Sequence, residues 1–201
     1  MYYYKADSNF GAAQGEWIMG KREDRRVTMT KQLLKSSLVE MLKTESIHRL
    51  SIRALCEHAD INRSTFYKYY GSQYELLKEL EDDWLKNVEV YINEMTNSYE
   101  SYKMGIFEIL RYAEENIELT KLLLNSNVDP GFPPKLISFP DVQRLLDEGL
   151  PVSKDPDIAE YASKFYIDGA FSMIKHWLNK EHREPPQKMA RIMLRVFERI
   201  Q

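Results

Sequence analysis

Apolar residues in this chain recur at intervals of three and four almost from end to end. That spacing limits the possible folds more than any other feature. Leu34, Leu38, Met41 and Leu42 follow Thr30 in this way, Ile52, Leu55, Cys56 and Ala59 make a shorter stripe, and Phe66 with Tyr70 makes a third. A long stripe runs through Leu77, Leu80, Trp84, Val88, Tyr91 and Met95. Ile106, Phe107, Leu110 and Ala113 come next, then Leu119, Leu122 and Leu123. Ile158, Tyr161, Ala162, Phe165, Tyr166, Gly169, Met173, Ile174 and Trp177 share one face of a late segment, and Met189, Ile192, Met193, Val196, Phe197 and Ile200 share a face of the last. An i, i+3, i+4, i+7 pattern lines one side of an α-helix. No segment of comparable length alternates with period two, so the expected fold class is all-α.

The residues between the stripes agree. Ser51 can accept from the free N–H groups that open its helix. Ser72 and Glu75 form a Ser-x-x-Glu capping box just before the longest stripe. Asp155-Pro156 sets a cap before a proline at the first helical position, and Pro185-Pro186 separates the last two helices and opens the final one. Residues 129–141, with their prolines and Gly131, are expected to be a loop. Residues 1–20 show no clear period and are set apart as an N-terminal extension.

Composition narrows the function classes. Gly and Pro number 8 each in 201 residues, too few for a turn-rich sandwich. One cysteine excludes a disulfide scaffold and a Cys-rich zinc site. No apolar run reaches the roughly 18 residues of a membrane span. No basic start leads into an apolar core, so a cytoplasmic setting without membrane contact is expected. The net charge of −3 hides an asymmetry: residues 1–78 carry 13 Lys+Arg and 9 Asp+Glu, a balance of +4, and residues 79–201 carry 15 and 22, a balance of −7. A basic head on an acidic body suits a polyanionic partner.

The head holds the most specific signal. A short helix from Ser51 to His58 is followed by Ala59-Asp60-Ile61-Asn62 and a second short helix from Arg63 to Tyr70. Two helices joined by so short a turn make a helix-turn-helix, whose second helix fits the DNA major groove. Phe66 and Tyr70 share the face that packs on Ile52, Leu55 and Ala59. Arg63, Ser64, Thr65, Tyr67, Lys68 and Tyr69 are left largely outward. An Arg can bond guanine through two parallel hydrogen bonds, and hydroxyls and Tyr suit phosphate oxygens.

Residues 51–70, together with Thr65-Phe66-Tyr67, the aromatic pair Tyr69-Tyr70 and Ser72-Gln73-Tyr74-Glu75-Leu76-Leu77, resemble the DNA-binding domain of the TetR family of transcriptional regulators. The resemblance covers about residues 28–78. It departs from the family at Asp60, where Gly is usual, and at Gln73, where Lys is frequent; Asp tolerates left-handed backbone better than most residues. The resemblance implies that Ser51 bonds a phosphate at the start of its helix and that Arg53 reaches a base or a phosphate. It puts Arg63, Ser64 and Thr65 at the reading end, and Tyr67, Tyr69, Lys68 and Gln73 on the DNA backbone. Phe66, Tyr70 and Cys56 are assigned to the core.

The resemblance also implies a domain order: residues 21–75 as the helix-turn-helix domain, and 76–201 as a larger helical domain for dimerisation and possible effector binding. The wide stripe on 158–178 supports a homodimer from the residues themselves, since Ala162, Gly169 and Ala170 permit close helix approach. The expected interface is Tyr161, Phe165, Gly169, Met173, Trp177, Met189, Ile192, Met193, Val196 and Phe197. A two-fold dimer matches a palindromic operator on double-stranded DNA. A candidate effector pocket would be lined by Trp84, Tyr91, Phe107, Leu110, Leu123, Phe165 and Tyr166; the same aromatic stripes could be plain core. The stretch Tyr166 to Leu178 resembles the C-terminal domain of family members linked to dihydroxyacetone kinase operons, some of which work with a protein partner instead of a small inducer.

An enzyme is the natural rival. The four His (48, 58, 176 and 182) make no His-Glu-x-x-His, and no phosphate-binding Gly loop or Gly-x-Ser-x-Gly occurs. No catalytic residue, metal or cofactor is expected. The remaining readings are a repressor acting as a homodimer, an activator or co-regulator with a protein partner, a nucleoid organiser of the same fold, and a helical scaffold that binds protein alone.

Overall fold

The computed structural model describes residues 13–94, 98–124, 128, 131–137 and 156–198. Expectations placed on residues 1–12, Met95, 129–130, 138–141, Asp155 and Ile200 fall outside them. The elements in chain order are α1 (Ala13–Leu42), α2 (Ile52–Ala59), α3 (Arg63–Tyr69), α4 (Gln73–Asn93), α5 (Tyr99–Glu115), α6 (Ile117–Leu123), α7 (Phe132–Ile137), α8 (Pro156–Asn179) and α9 (Pro186–Glu198). Among the described residues there is no strand. The fold is all-α, with a helix-turn-helix ahead of a helical body.

The helix ends follow local chemistry. Ser51 Oγ accepts from the Ala54 N–H at 3.1 Å and opens α2. Asp60 closes it in the left-handed region at φ 53°, ψ 42°, and the next N–H, of Ile61, donates back to the Cys56 carbonyl at 2.9 Å. This is the turn at which glycine is usual, and a short Asp side chain tolerates it. Ser72 Oγ accepts from the Glu75 N–H at 3.3 Å, while Glu75 Oε2 accepts from the Gly71 N–H at 2.8 Å. The box therefore closes one residue earlier than the usual pattern. Pro186 is the first residue of α9.

Two elements differ from expectation. α1 begins at Ala13, far upstream of Thr30, and runs through the boundary drawn at residue 20. Residues 132–137, read as loop, form the short helix α7. Pro133 and Pro134 occupy its first turn, where a missing N–H costs nothing. Phe132 and Leu136, four apart, are buried at 0 % and 7 % exposure and hold it to the core.

The main core crosses the boundary drawn at residue 75. Leu34, Leu38, Leu55 and Phe66 of the head and Leu76, Leu80, Trp84 and Val88 of α4 share one cluster with Leu123, Phe132 and Leu136. A second cluster joins Leu110 of α5 and Leu124 to Trp177 and Leu178 of α8 and Met189 and Met193 of α9. Phe171 packs against both. Two buried indoles find acceptors, as buried Trp requires. Trp84 Nε1 donates to Thr120 Oγ1 at 3.2 Å, and Thr120 Oγ1 donates on to the Asn116 carbonyl at 3.0 Å. Trp177 Nε1 donates to the Glu184 carbonyl at 2.7 Å.

Candidate nucleic-acid interface

The sequence of α3 sets its orientation. Phe66, fully buried, and Tyr70, just past the helix end, fix one side against α2. Burying such a ring is worth about 3–5 kcal/mol against Ala, enough to lock the rotation of a seven-residue helix. The opposite side then faces outward: Arg63, Ser64, Tyr67 and Lys68 are exposed, with Tyr67 at 51 %. Thr65 is half-buried, and Tyr69 packs partly against the core, so its ring is shared between core and surface.

The hydroxyl network at the head of α3 refines these roles. Asn62 Oδ1 accepts from both the Ser64 N–H and the Ser64 Oγ at 2.9 Å. Asn62 is thus the cap of α3, which the sequence reading missed; an Asn one residue before a helix was the available signal. Ser64 spends its hydroxyl proton on that bond and offers only lone pairs outward. Ser51 does the reverse: it accepts within the cap and keeps its O–H to donate. Arg53 Nε is paired with Glu57 Oε1 at 2.7 Å on the exposed face of α2, so contact with DNA requires it to leave a weak surface pair. The Lys68 ammonium stands 5.7 Å from the Tyr69 ring centroid.

Gln73, half-buried, opens α4 beside Tyr74, which is 46 % exposed. The Tyr74 hydroxyl meets His48 Nδ1 at 3.0 Å. This pair was not anticipated, because His48 and Tyr74 lie 26 positions apart. Behind the surface, Cys56 is buried, and burial pushes its thiol up against a weak opposing pull from Arg63. It is a core residue. Among the described residues no group of three or more His, Cys, Asp or Glu is placed to hold a metal, and no helix is long and apolar enough to cross a membrane.

α4 links this surface to the body, and ion pairs from α1 and α7 hold its middle turns. Lys31 of α1 meets Glu79 at 3.0 Å, and Lys35 meets Glu79 at 2.7 Å and Asp83 at 2.5 Å. Burial disfavours the Glu79 charge, yet hydrogen bonds from Lys35 and Lys31 outweigh it and hold the carboxyl below its usual range. Lys135 of α7 reaches Asp82 at 2.6 Å and the buried Glu81 at 3.4 Å.

The two residue sets expected in the body are divided. Tyr161, Phe165 and Val196 are open at 76 %, 58 % and 39 % exposure, with Gly169, Met173, Ile192 and Phe197 half-buried. Trp177, Met189 and Met193 are corrected: at 1 %, 5 % and 5 % exposure they belong to the protomer's own second core. Of the pocket set, Trp84 and Leu123 lie in the first core, and Leu110, with Phe107 packed on it, in the second. Tyr166 is buried against Phe197, and Phe165 points outward, so these side chains do not enclose one cavity. Tyr91 lines a space of about 120 Å³ shared with Glu94, Ser101, Met104, Gly105 and Glu108. A larger, open groove of about 390 Å³ lies between α1 and the α5–α6 junction, lined by Lys35, Lys43, Glu115 and Glu118 among others.

Comparison with known proteins falls on both halves. Residues 36–80 match the family described as bacterial regulatory proteins, tetR family. Residues 100–199 match the family described as transcriptional regulator C-terminal region. The HTH-type dhaKLM operon transcriptional activator DhaS of Lactococcus lactis subsp. lactis (strain IL1403) is 26 % identical over 93 residues, 46 % of this chain and 47 % of the relative. The chain thus spans about half the length of that curated relative. Among solved structures, a TetR transcriptional regulator from Streptococcus agalactiae 2603V superposes with a TM-score of 0.68 at 22 % identity, covering 89 % of this chain and 98 % of that one. A TetR-family regulator from Syntrophomonas wolfei str. Goettingen gives 0.64 at 16 % identity, covering 85 % and 94 %.

Proposed function

This chain belongs to the TetR family and is a DNA-binding transcriptional regulator, and from that premise we propose that it works without catalysis, as a homodimer that represses by occupying a palindromic operator. The observation that carries the reading is the outward row of α3: Arg63, Ser64, Tyr67 and Lys68 exposed on a helix whose other side is locked into the core. Arg63 reads a base edge. Ser51, Tyr67, Lys68 and Gln73 set register on phosphates, with Thr65 and Tyr69 in support. Most affinity then comes from charge and is salt-dependent.

The dimer would form through the open strip of α8, where Ile158, Tyr161, Phe165 and Gly169 follow at three- and four-residue spacing, with Val196 and Phe197 of α9 beside it. Three large side chains more than half exposed on one helix face are unusual in a monomer. An effector would act through α4, which begins beside the reading helix. The cavity at Tyr91 abuts α4 and is small for a drug-sized ligand, so it suits only a compact molecule. Activation is the second reading, favoured by the name of the Lactococcus lactis relative as a transcriptional activator. Genomic fragments retained by the full chain, then tested by in vitro transcription with and without it, separate the two. Lower transcript supports repression, higher transcript supports activation, and no retained fragment overturns both.

A further inference from the structure

We propose that the upstream part of α1 is a second DNA-contacting element, which grips backbone phosphates beside the half-site read by α3. This rests on the DNA-binding reading above. Lys31 pairs with Glu79 and Lys35 with Asp83, so both pairs are separated by 48 residues and α1 and α4 run in the same direction where they cross. α4 starts at Gln73, six residues before Glu79, beside the end of α3. Six residues back from Lys31 along α1 lies Arg25. At about 1.5 Å per residue, Arg25 and Arg26 therefore reach the level at which α4 begins.

Both arginines are exposed, and both lie on a helix that continues to Ala13, another ~18 Å beyond the end of the head. The sequence adds Lys21 and Arg22 one turn upstream, against Glu23 and Asp24. A helix that carries Arg25 and Arg26 at the edge of the reading head meets the duplex beside the half-site, where only phosphates are in reach. An Arg fork fits phosphate oxygens with two parallel hydrogen bonds. The element would raise affinity for every sequence alike and leave selectivity to Arg63.

The test is the salt dependence of binding to a 40-base-pair duplex of random sequence, with the full chain, the Arg25→Ala/Arg26→Ala variant and the Arg25→Lys/Arg26→Lys variant. Each phosphate neutralised contributes about 0.9 to the slope of log affinity against log salt. With two arginines on each of two protomers, the double Ala variant is expected to lose about 4 units of slope per bound dimer and the Lys variant to keep the slope. An unchanged slope in the Ala variant, with the unaltered chain binding normally, overturns the α1 contact and leaves the α3 reading intact. Absence of any salt-sensitive binding by the unaltered chain overturns the reading on which the proposal rests.

Discussion

Tyr67 holds a phenol half out of the protein on a helix that its neighbour Phe66 has locked. Nothing in the core needs that hydroxyl, which suits the phosphate contact proposed for it. Tyr67→Phe is expected to weaken binding to all duplexes by about 1.5 kcal/mol, the scale of one hydrogen bond to a charged group. Melting temperature should stay constant, and titration against several unrelated duplexes checks the uniformity. Thr120 is the opposite case, fully buried and bonded on both sides. Thr120→Val keeps the shape but strands the Trp84 indole N–H, which should cost about 1–3 kcal/mol of stability in denaturant unfolding. DNA affinity per folded molecule should not change.

Among the elements, α1 and α4 are joined by charge. The Glu79 carboxyl lies below its ordinary 4.5 because Lys35 and Lys31 bond its charged form more than burial penalises it. A depressed carboxylate stabilises the fold above its unfolded value, and that contribution disappears as pH falls through the folded value. Thermal unfolding should therefore lose stability below about pH 4.5. Lys35→Met should be less stable near neutrality and show a shallower acid loss. An acid profile identical to that of the unaltered chain would remove the cluster from the account.

The helix ends were legible because each follows a local rule: Ser51, Ser72 and Pro186 state their own geometry. α7 was not, since Pro133-Pro134 reads as a break unless Phe132 is known to have a core to enter. The reading row of α3 followed from Phe66 and Tyr70 alone. The faces of α8 did not, because that helix is apolar over most of its circumference. A periodic stripe cannot say that Trp177 turns toward α5 and α9 while Phe165 turns away; only the packing of the whole body decides it.

For the whole molecule, the acidic balance sits in the body and the basic balance in the head, so a net charge of −3 is no obstacle to a DNA partner. Pairing of two bodies through Tyr161 and Phe165 would place two heads for two half-sites. Phe165→Arg, at a side chain 58 % exposed, should leave the fold intact and convert a dimer to a monomer in light scattering. Operator affinity should fall steeply, because the half-sites are then bound independently. A variant that stays dimeric would move the interface off α8.

α3 is the element proposed to read sequence. Its most direct test is the ratio of affinities for a genome-selected fragment and a random duplex at one salt concentration, for the unaltered chain and for Arg63→Ala. The ratio for the unaltered chain should be at least about 10³. Arg63→Ala should cut it by the ≈ 1–3 kcal/mol of one base contact while random-duplex binding changes far less. An unchanged ratio in Arg63→Ala, with both proteins folded, would contradict the assignment of reading to α3's first turn.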